Sequence, residues 1–509
     1  MLAGWLIFFS LLHYNNLNSP WERDEGEYAY SAWLMEQGKL PYVNSFLLKP
    51  PLIIYTYYLS NKINPDAYWP PHLLGALFTF LTIVLISLIV RKEFGNKAAI
   101  AALWLGPPMF LFPPLTPFAA NTEKFMLLPV VGVFAVYIWN KNNNKHWPWL
   151  LAGILSGIAL LYKQVALLVL LTIVAAWCYS DFKRNRNMRS MILKIAIGLS
   201  GLIGIAFISL LPIILNGGWS AMWECIITFS QNYMATLSNT IPVSFIKYSA
   251  IFVKTWWILI FLSVLSVLFV FNKIRLIILL FIVSLLTVFK NLASHYYLLL
   301  IPFWLILVAV GINFIWEKIL PNKINWQRPI ILVTLTAIIC ILYWPIKNQF
   351  QYSSEYFPLY LYGRENPFFE SKIAADKLKE ITKENDRIFI MGSEPQIYYY
   401  AKRLSSSRFN ITYPLNLNTP AREAYQKQAV SDLERFPPAA IVVVRHNISH
   451  LWEKGAPLIL VDYLKIQLQK NYRLLGGFCW LPNGYGYWKN SSKIDNLRSA
   501  NLLLFQRRE

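Results

Sequence analysis

Residues 73–90 read LLGALFTFLTIVLISLIV, eighteen positions without a single charge. Eighteen helical residues rise about 27 Å, close to the thickness of a bilayer's hydrocarbon layer. A soluble domain has no use for so long an apolar surface on all sides of one helix. The stretch therefore predicts a membrane span. The rest of the chain repeats it: of 509 residues, 56% are hydrophobic and only 14% charged. Further spans are predicted near 98–117, 125–139, 149–179, 192–215, 252–271, 276–288, 297–315 and 330–344. The stretch 149–179 carries Lys163 and Gln164 at its middle, where one straight helix would bury a cation in lipid. Two shorter helices meeting at Lys163 are expected instead. The apolar run 1–13 is short for a span, and it lacks a basic leader region and a small-residue cleavage site. Either a short first helix or a start upstream of Met1 fits it. About 11 spans result.

Charge in the connections orients these spans. The loops 91–97, 141–145, 183–194, 273–275 and 318–328 carry 15 Lys or Arg between them, and by the positive-inside rule they face the cytoplasm. The intervening loops, the Lys163 break and everything after Trp344 then face outward. The net charge of +21 follows from this topology and from contact with membrane lipids, and no nucleic-acid partner is expected. Four cysteines without a CxxC pair argue against a zinc site or a disulfide framework, Cys225–Cys479 being the one external pairing available.

Two regions are expected: 1–344 in the membrane, with a first outer loop at 14–69, and 345–509 as an external α/β domain. In the second, helices are predicted at 373–382, 394–402 and 458–470, and strands at 387–391 and 439–444. Gly392 follows a strand, but no GxGxxG or Walker pattern surrounds it, which excludes a nucleotide loop. His446 and His450 have metal-ligand spacing but lie in loop-like sequence with no third ligand adjacent.

Acid is scarce in the membrane region. Eleven Asp or Glu precede Pro345, and four of them fall in Glu22-Arg23-Asp24-Glu25-Gly26-Glu27. A carboxylate beside lipid must be solvated, paired or at work. The following segment 25–37 reads as an amphipathic helix ended by Gly38, with Tyr28, Ala32, Trp33 and Met35 available to the bilayer interface. Asp24 precedes it and has Glu27 three residues on, a capping-box spacing, so capping and catalysis are both open to Asp24. Lys49 is held by Pro50-Pro51, Glu123 opens a span after Thr122, and Lys290 and His295 precede Tyr296 on the same side. Acids and cations gathered on one face suit a phosphate-bearing substrate.

The motifs Asp24-Glu25-x-x-Tyr28, Gly38-x-x-Pro41-Tyr42 and Lys49-Pro50-Pro51-Leu52 resemble the first outer loop of GT-C glycosyltransferases. The resemblance is greatest to protein O-mannosyltransferases and the aminoarabinose transferase of lipid A. Thr122-Glu123, Leu161-Tyr162-Lys163 and His295-Tyr296 extend it through an α-helical polytopic membrane protein with a C-terminal external α/β domain. It implies a polyprenyl-phosphate-linked sugar as donor, a lipid, glycan or protein acceptor, and transfer with inversion at the outer face of a bacterial-type inner membrane. Asp24, Glu25 and Glu123 would be catalytic. Lys49, Lys163, His295, Tyr28 and Tyr296 would hold the donor phosphate or sugar. No organic cofactor is implied, and a divalent metal is left open: the acidic residue that often precedes Lys-Pro in the aminoarabinose branch is Leu48 here. The competing reading from another class is a multi-pass transporter or lipid flippase, against which stand the acid-rich outer loop and the absence of a visible internal repeat.

Overall fold

The computed structural model describes residues 2–236, 243–289, 294–319, 333, 340–363, 366–451, 453, 455–480 and 486–508. Lys290, most of the last basic loop and most of the span expected at 330–344 lie outside the described residues.

Six described helices are long and apolar enough to cross a membrane: Trp69–Phe94, Thr122–Asn140, Gln164–Asn185, Met188–Leu215, Phe245–Val288 and Ile301–Lys318. A shorter apolar helix, Trp147–Tyr162, joins them. The chain is a multi-pass membrane protein. The helix over Trp147–Tyr162 stops where expected: Lys163 leaves helical geometry at φ −161°, ψ 128°. The next long helix, Leu167–Asn185, runs back, since Trp149 and Trp177 stack with centroids 4.2 Å apart. Gly153, Gly157 and Gly201 let this hairpin press against Met188–Leu215; a Cβ on Gly153 would lie 1.8 Å from the Gly198 carbonyl oxygen.

The helical run Val243–Val288 has 46 residues and would be about 69 Å long if straight. It is not straight: the Phe245 and Phe289 rings lie 4.8 Å apart, and Trp304 meets both Ser263 and Phe281. The run doubles back so that its two ends meet, and its backbone leaves helical geometry at Trp256 (φ −115°, ψ 26°). Asn272 and Lys273 lie beside Glu93 and Lys318, at the end of the protein where the other basic loops also meet. Lys141 pairs with Glu93 at 2.8 Å, Arg184 donates to the Lys141 and Asn143 carbonyls, and Lys194 is buried against Asp181. All four cysteines are free.

The C-terminal region builds a six-stranded mixed sheet in the order β2-β1-β3-β6-β4-β5. Its strands are β1 (Arg387–Met391), β2 (Leu404–Ser405), β3 (Ala440–Val444), β4 (Tyr472–Trp480), β5 (Gly486–Asn490) and β6 (Ala500–Arg507). β2, β1 and β3 are parallel and the others antiparallel. The apolar runs of β1 and β3 were legible because a central parallel strand is buried on both faces. β4 was not, because Gly476 and Gly477 interrupt its apolar pattern. His450 settles into this domain by bonding the Val444 carbonyl at 2.7 Å.

Two expectations about the outer loop are corrected. The outer helix spans Arg23–Glu36, and its capping box is formed by Glu22 and Glu25, so Asp24 lies inside the first turn and Glu27 is not its capping partner. Nor does the helix lie on the bilayer: Tyr28 and Ala32 are fully buried and Trp33 nearly so. The helix is held between Leu52–Ile63, whose Tyr57 ring meets Tyr28, and the C-terminal domain, whose Tyr398 ring meets Tyr30. Arg23 donates to the Ser393 carbonyl at 2.6 Å and pairs with Glu394. Tyr30 accepts from the Ser405 amide and Trp21 donates to Tyr400. An apolar core runs without a break from the membrane helices through this helix into the sheet.

Gly26 sets the distance between outer helix and domain, because a Cβ there would lie 2.5 Å from the Gln396 amide nitrogen. Alanine in place of a helical glycine ordinarily stabilises by about 0.5–1 kcal/mol. Gly26→Ala should instead destabilise by about 1–3 kcal/mol through overpacking. Thermal unfolding of the detergent-solubilised protein reads the sign, and an unchanged or raised Tm would refute the contact.

Candidate active site

Five chain segments meet on the side opposite the basic loops. The outer helix brings Asp24, the Lys49-Pro50-Pro51 bend brings Lys49, the start of Thr122–Asn140 brings Glu123, and the break between the hairpin helices brings Lys163. His295 and Tyr296 come from the short helical turn Ser294–Leu299 that precedes Ile301–Phe314. Proline 50 keeps Lys49 out of helical conformation, and the Tyr42 hydroxyl donates to the Lys49 carbonyl at 2.8 Å.

Asp24 and Lys49 form an ion pair at 3.3 Å with side chains 25% and 16% exposed, so an incoming molecule can reach both. Glu123 sits deeper and holds three groups. Lys163 pairs with it, His295 Nε2 lies 3.4 Å from it, and Thr122 donates to its other oxygen at 3.0 Å. The Lys163 ammonium also rests 3.8 Å from the centre of the Tyr296 ring, a cation–π contact strengthened by desolvation. The Lys163 hairpin is braced nearby by Tyr162, which shares a hydrogen bond with Thr56 and stacks on Phe125. An expensive cation at the helix break is thus matched by a carboxylate at a neighbouring helix start.

The two pairs act on one another. Burial pushes the Asp24 carboxyl up, but Lys49, His295 and Lys163 together outweigh it and leave it below the ordinary carboxylate range. Burial lowers the His295 imidazole by more than Glu123 raises it, with Lys163 adding to the lowering, so the ring is neutral at neutral pH. Glu27, which sequence reasoning treated only as a cap, is buried beside this pair. Burial raises it to about 8 against the pull of Lys49, which makes it a carboxylic acid at neutral pH.

The remaining expected residues separate. Tyr28 is buried with its ring against Tyr57 at 5.4 Å, and among the described residues its hydroxyl has no partner. Glu25 belongs to a different set: it accepts from the Ala120 amide, from Tyr57 and from the Glu22 amide, and bonds His72 at 2.8 Å. These contacts tie the outer helix to two membrane helices and occupy the carboxylate, which gives Glu25 a structural place where catalysis was expected. Glu22 takes a bond from Asn121 at 2.6 Å in the same seam. His72 was missed; a lone histidine directly after Pro70-Pro71 at the head of an apolar run was the signal for it.

The residues present do not fit a divalent cation. Asp24 and Glu123 are each engaged by an ammonium group, position 48 is Leu, and among the described residues no three His, Cys, Asp or Glu side chains come together.

Residues 48–211 match the family model described as dolichyl-phosphate-mannose-protein mannosyltransferase. The chain is similar to a dolichol phosphate-mannose mannosyltransferase of Haloferax volcanii, 26% identical over 381 residues, covering 67% of this chain and 74% of that protein. Its fold is similar to ArnT from Cupriavidus metallidurans, solved bound to undecaprenyl phosphate, with TM-score 0.64 and 12% identity over 99% of this chain and 98% of that one. It is also similar to the archaeal oligosaccharyltransferase AglB from Archaeoglobus fulgidus, with TM-score 0.56 and 12% identity over 96% of this chain and 74% of that one. Nothing in these likenesses supports a transporter.

Because Lys163 is paired, its removal leaves Glu123 as a buried charge with one fewer counter-ion. Lys163→Met should cost about 3–5 kcal/mol, and combining it with Glu123→Gln should return most of that. Thermal unfolding of both variants measures this coupling; additive effects would show that the pair is not formed. A second test uses pH. Asp24 is held below its unfolded value, so its ion pair adds stability that is present above about pH 4 and is lost as pH falls through the depressed folded value. The Tm gap between wild type and Asp24→Asn should therefore narrow as pH falls below about 4, and a constant gap would refute the electrostatic account.

Proposed function

We propose that this chain, a membrane glycosyltransferase of the GT-C superfamily, moves a sugar from a polyprenyl-phosphate donor to an acceptor hydroxyl with inversion, at the outer face of a cytoplasmic membrane. The observation that carries this reading is the Asp24–Lys49 pair beside Lys163, Glu123 and His295 at one end of the membrane helices. The domain boundary near residue 344, the external placement of residues 345–509 and the roles below are part of the proposal.

Asp24 is the general base. As the acceptor oxygen forms its bond to the anomeric carbon, Asp24 takes the hydroxyl proton, and the bond from that carbon to the phosphate oxygen breaks on the opposite face. The bonding electrons leave with the lipid phosphate. Such base assistance gives about 10²–10⁴-fold. Asp24 is a weak base while three cationic or dipolar neighbours depress it, but a donor phosphate brings negative charge to the same neighbours. Its arrival raises the basicity of Asp24 at the step that needs it.

Lys49 and Lys163 stabilise the phosphate as its charge grows. An ammonium has three N–H donors, so each lysine can keep its carboxylate and still reach a phosphate oxygen. Their incomplete exposure strengthens that attraction relative to open water. Neutral His295 is a hydrogen-bond donor to the phosphate or sugar, and Glu123 fixes both it and Lys163. Tyr296, whose ring already meets the Lys163 ammonium, lines the sugar position, whereas Tyr28 is buried against Tyr57 behind it. The lipid tail stays in the bilayer, and only the sugar and acceptor reach water.

Asp24→Asn should leave folding intact at neutral pH and lower transfer by about 10²–10⁴-fold, while donor binding persists. Transfer of radiolabelled sugar from a polyprenyl-phosphate donor in proteoliposomes provides the rate. Near-normal turnover by the folded variant would overturn the general-base role.

A further inference from the structure

A cavity of about 270 Å³ lies between the outer helix and the C-terminal sheet, away from the Asp24–Glu123 cluster. Its volume is roughly nine times that of a water molecule, room for one sugar ring. Tyr30 and Leu34 of the outer helix form one wall, and β2 with the segment after it forms another. Its charge is one-sided. Lys39, Arg387, Arg408 and Arg435 line it against a single acid, Asp432, which accepts a hydrogen bond from Ser407 at 2.6 Å. Arg387 and Arg435 both stand over the Phe436 ring, 4.5 and 5.0 Å from its centre. No ion pair holds either guanidinium among the described residues.

Two polar atoms at this cavity are buried without a partner among the described residues, Ser406 Oγ and Arg408 Nε. Ser406 is 1% exposed. Buried donors left unmade are costly, and a native site that keeps them has a reason to. The cavity adjoins a wider groove that shares Arg387, Arg435 and Phe436 and adds Lys383, Arg507 and Arg508. The two acids of that groove are already engaged, Glu380 by Lys377 and Asp386 by the Lys383 amide. Arg408 is paired with Glu224 at 2.9 Å, and Arg387 donates to the Ser405 carbonyl at 2.7 Å. Cations without a carboxylate partner among the described residues, Arg387 and Arg435 first, thus lead from the sheet edge toward the outer helix.

We propose that this cavity and groove bind an acidic oligosaccharide, seating one sugar that bears an oxyanion between Arg387 and Arg435. Guanidinium forks match a carboxylate or phosphate in two hydrogen bonds. Phe436, 37% exposed, offers an apolar face to the sugar ring, and Ser406 Oγ and Arg408 Nε supply donors to its hydroxyls. That the bound glycan is the acceptor rests on the transferase reading; the binding does not.

The test uses the full-length protein in neutral detergent without donor. Trigalacturonate and mannose 6-phosphate are the charged probes, maltotriose the uncharged one, and phosphatidylglycerol vesicles the lipid probe, all measured calorimetrically or by co-sedimentation. Binding of either charged sugar in preference to maltotriose is expected, and which one binds separates carboxylate from phosphate. Arg387→Gln with Arg435→Gln should weaken it by tenfold or more. Should the double variant fail to fold, Arg435→Gln alone should weaken it several-fold, since Arg435 has no ion pair to lose. Asp24→Asn should bind like wild type, so failure here and failure of the general-base reading are distinguishable. Equal affinity for maltotriose, undiminished binding by Arg435→Gln, or capture of the vesicles alone would overturn the proposal.

Discussion

A charge at the edge of a bilayer has to be matched, and the Lys163–Glu123 pair is where this protein meets that requirement. Lys163 stands at a break between two apolar helices, and Glu123 opens the helix beside them. Neither residue is tolerable in that position alone. Together they fix how the hairpin docks, and they leave an ammonium, a neutral imidazole and an aromatic face turned to one place. The same pair that makes the helices affordable in lipid also assembles the cationic half of the site.

The acidic half depends on a different constraint. The outer helix has to be gripped from both sides to hold Asp24 still. From the membrane side Glu25 gathers His72, Tyr57 and the Ala120 amide. From the other side Arg23 is anchored to Ser393 and Glu394, and Gly26 admits the close approach of Gln396. Asp24 lies between these anchors, one residue from each of Arg23 and Glu25. The acid-rich hexapeptide therefore divides its labour: Glu22 and Glu25 secure the helix, Arg23 and Gly26 seat the C-terminal domain, and Asp24 is left paired with Lys49 and accessible. The C-terminal domain is in this sense part of the site's scaffold even though its own residues stand apart from the clustered charges.

How much was legible in the sequence follows from range. Apolar runs and loop charges are local signals, so the spans, the hairpin break at Lys163 and the alternation of basic loops could be read directly. The parallel strands β1 and β3 were equally readable, since burial on both faces leaves an unbroken apolar run. The outer helix was placed correctly as a helix, but its surroundings were not. An amphipathic pattern reports that one face is buried and does not say what buries it. Here the helix is covered by Leu52–Ile63 on one side and by the C-terminal domain on the other, where lipid was expected.

The sequence by itself determined the apolar spans and the residue types at the turns between them, because hydrophobic thickness acts within single segments. It also presented Asp24, Lys49, Glu123, Lys163 and His295 as candidates on one side. Only the tertiary structure decided their pairing, since which carboxylate meets which cation depends on contacts between residues 25 to 172 positions apart. It decided too that Glu25 is a structural hub and that Glu27 is a buried acid, because burial is a property of neighbours and not of spacing. The cationic cavity beneath the outer helix is of the same kind: its arginines are scattered along the chain and become a site where the sheet and the helix close on each other.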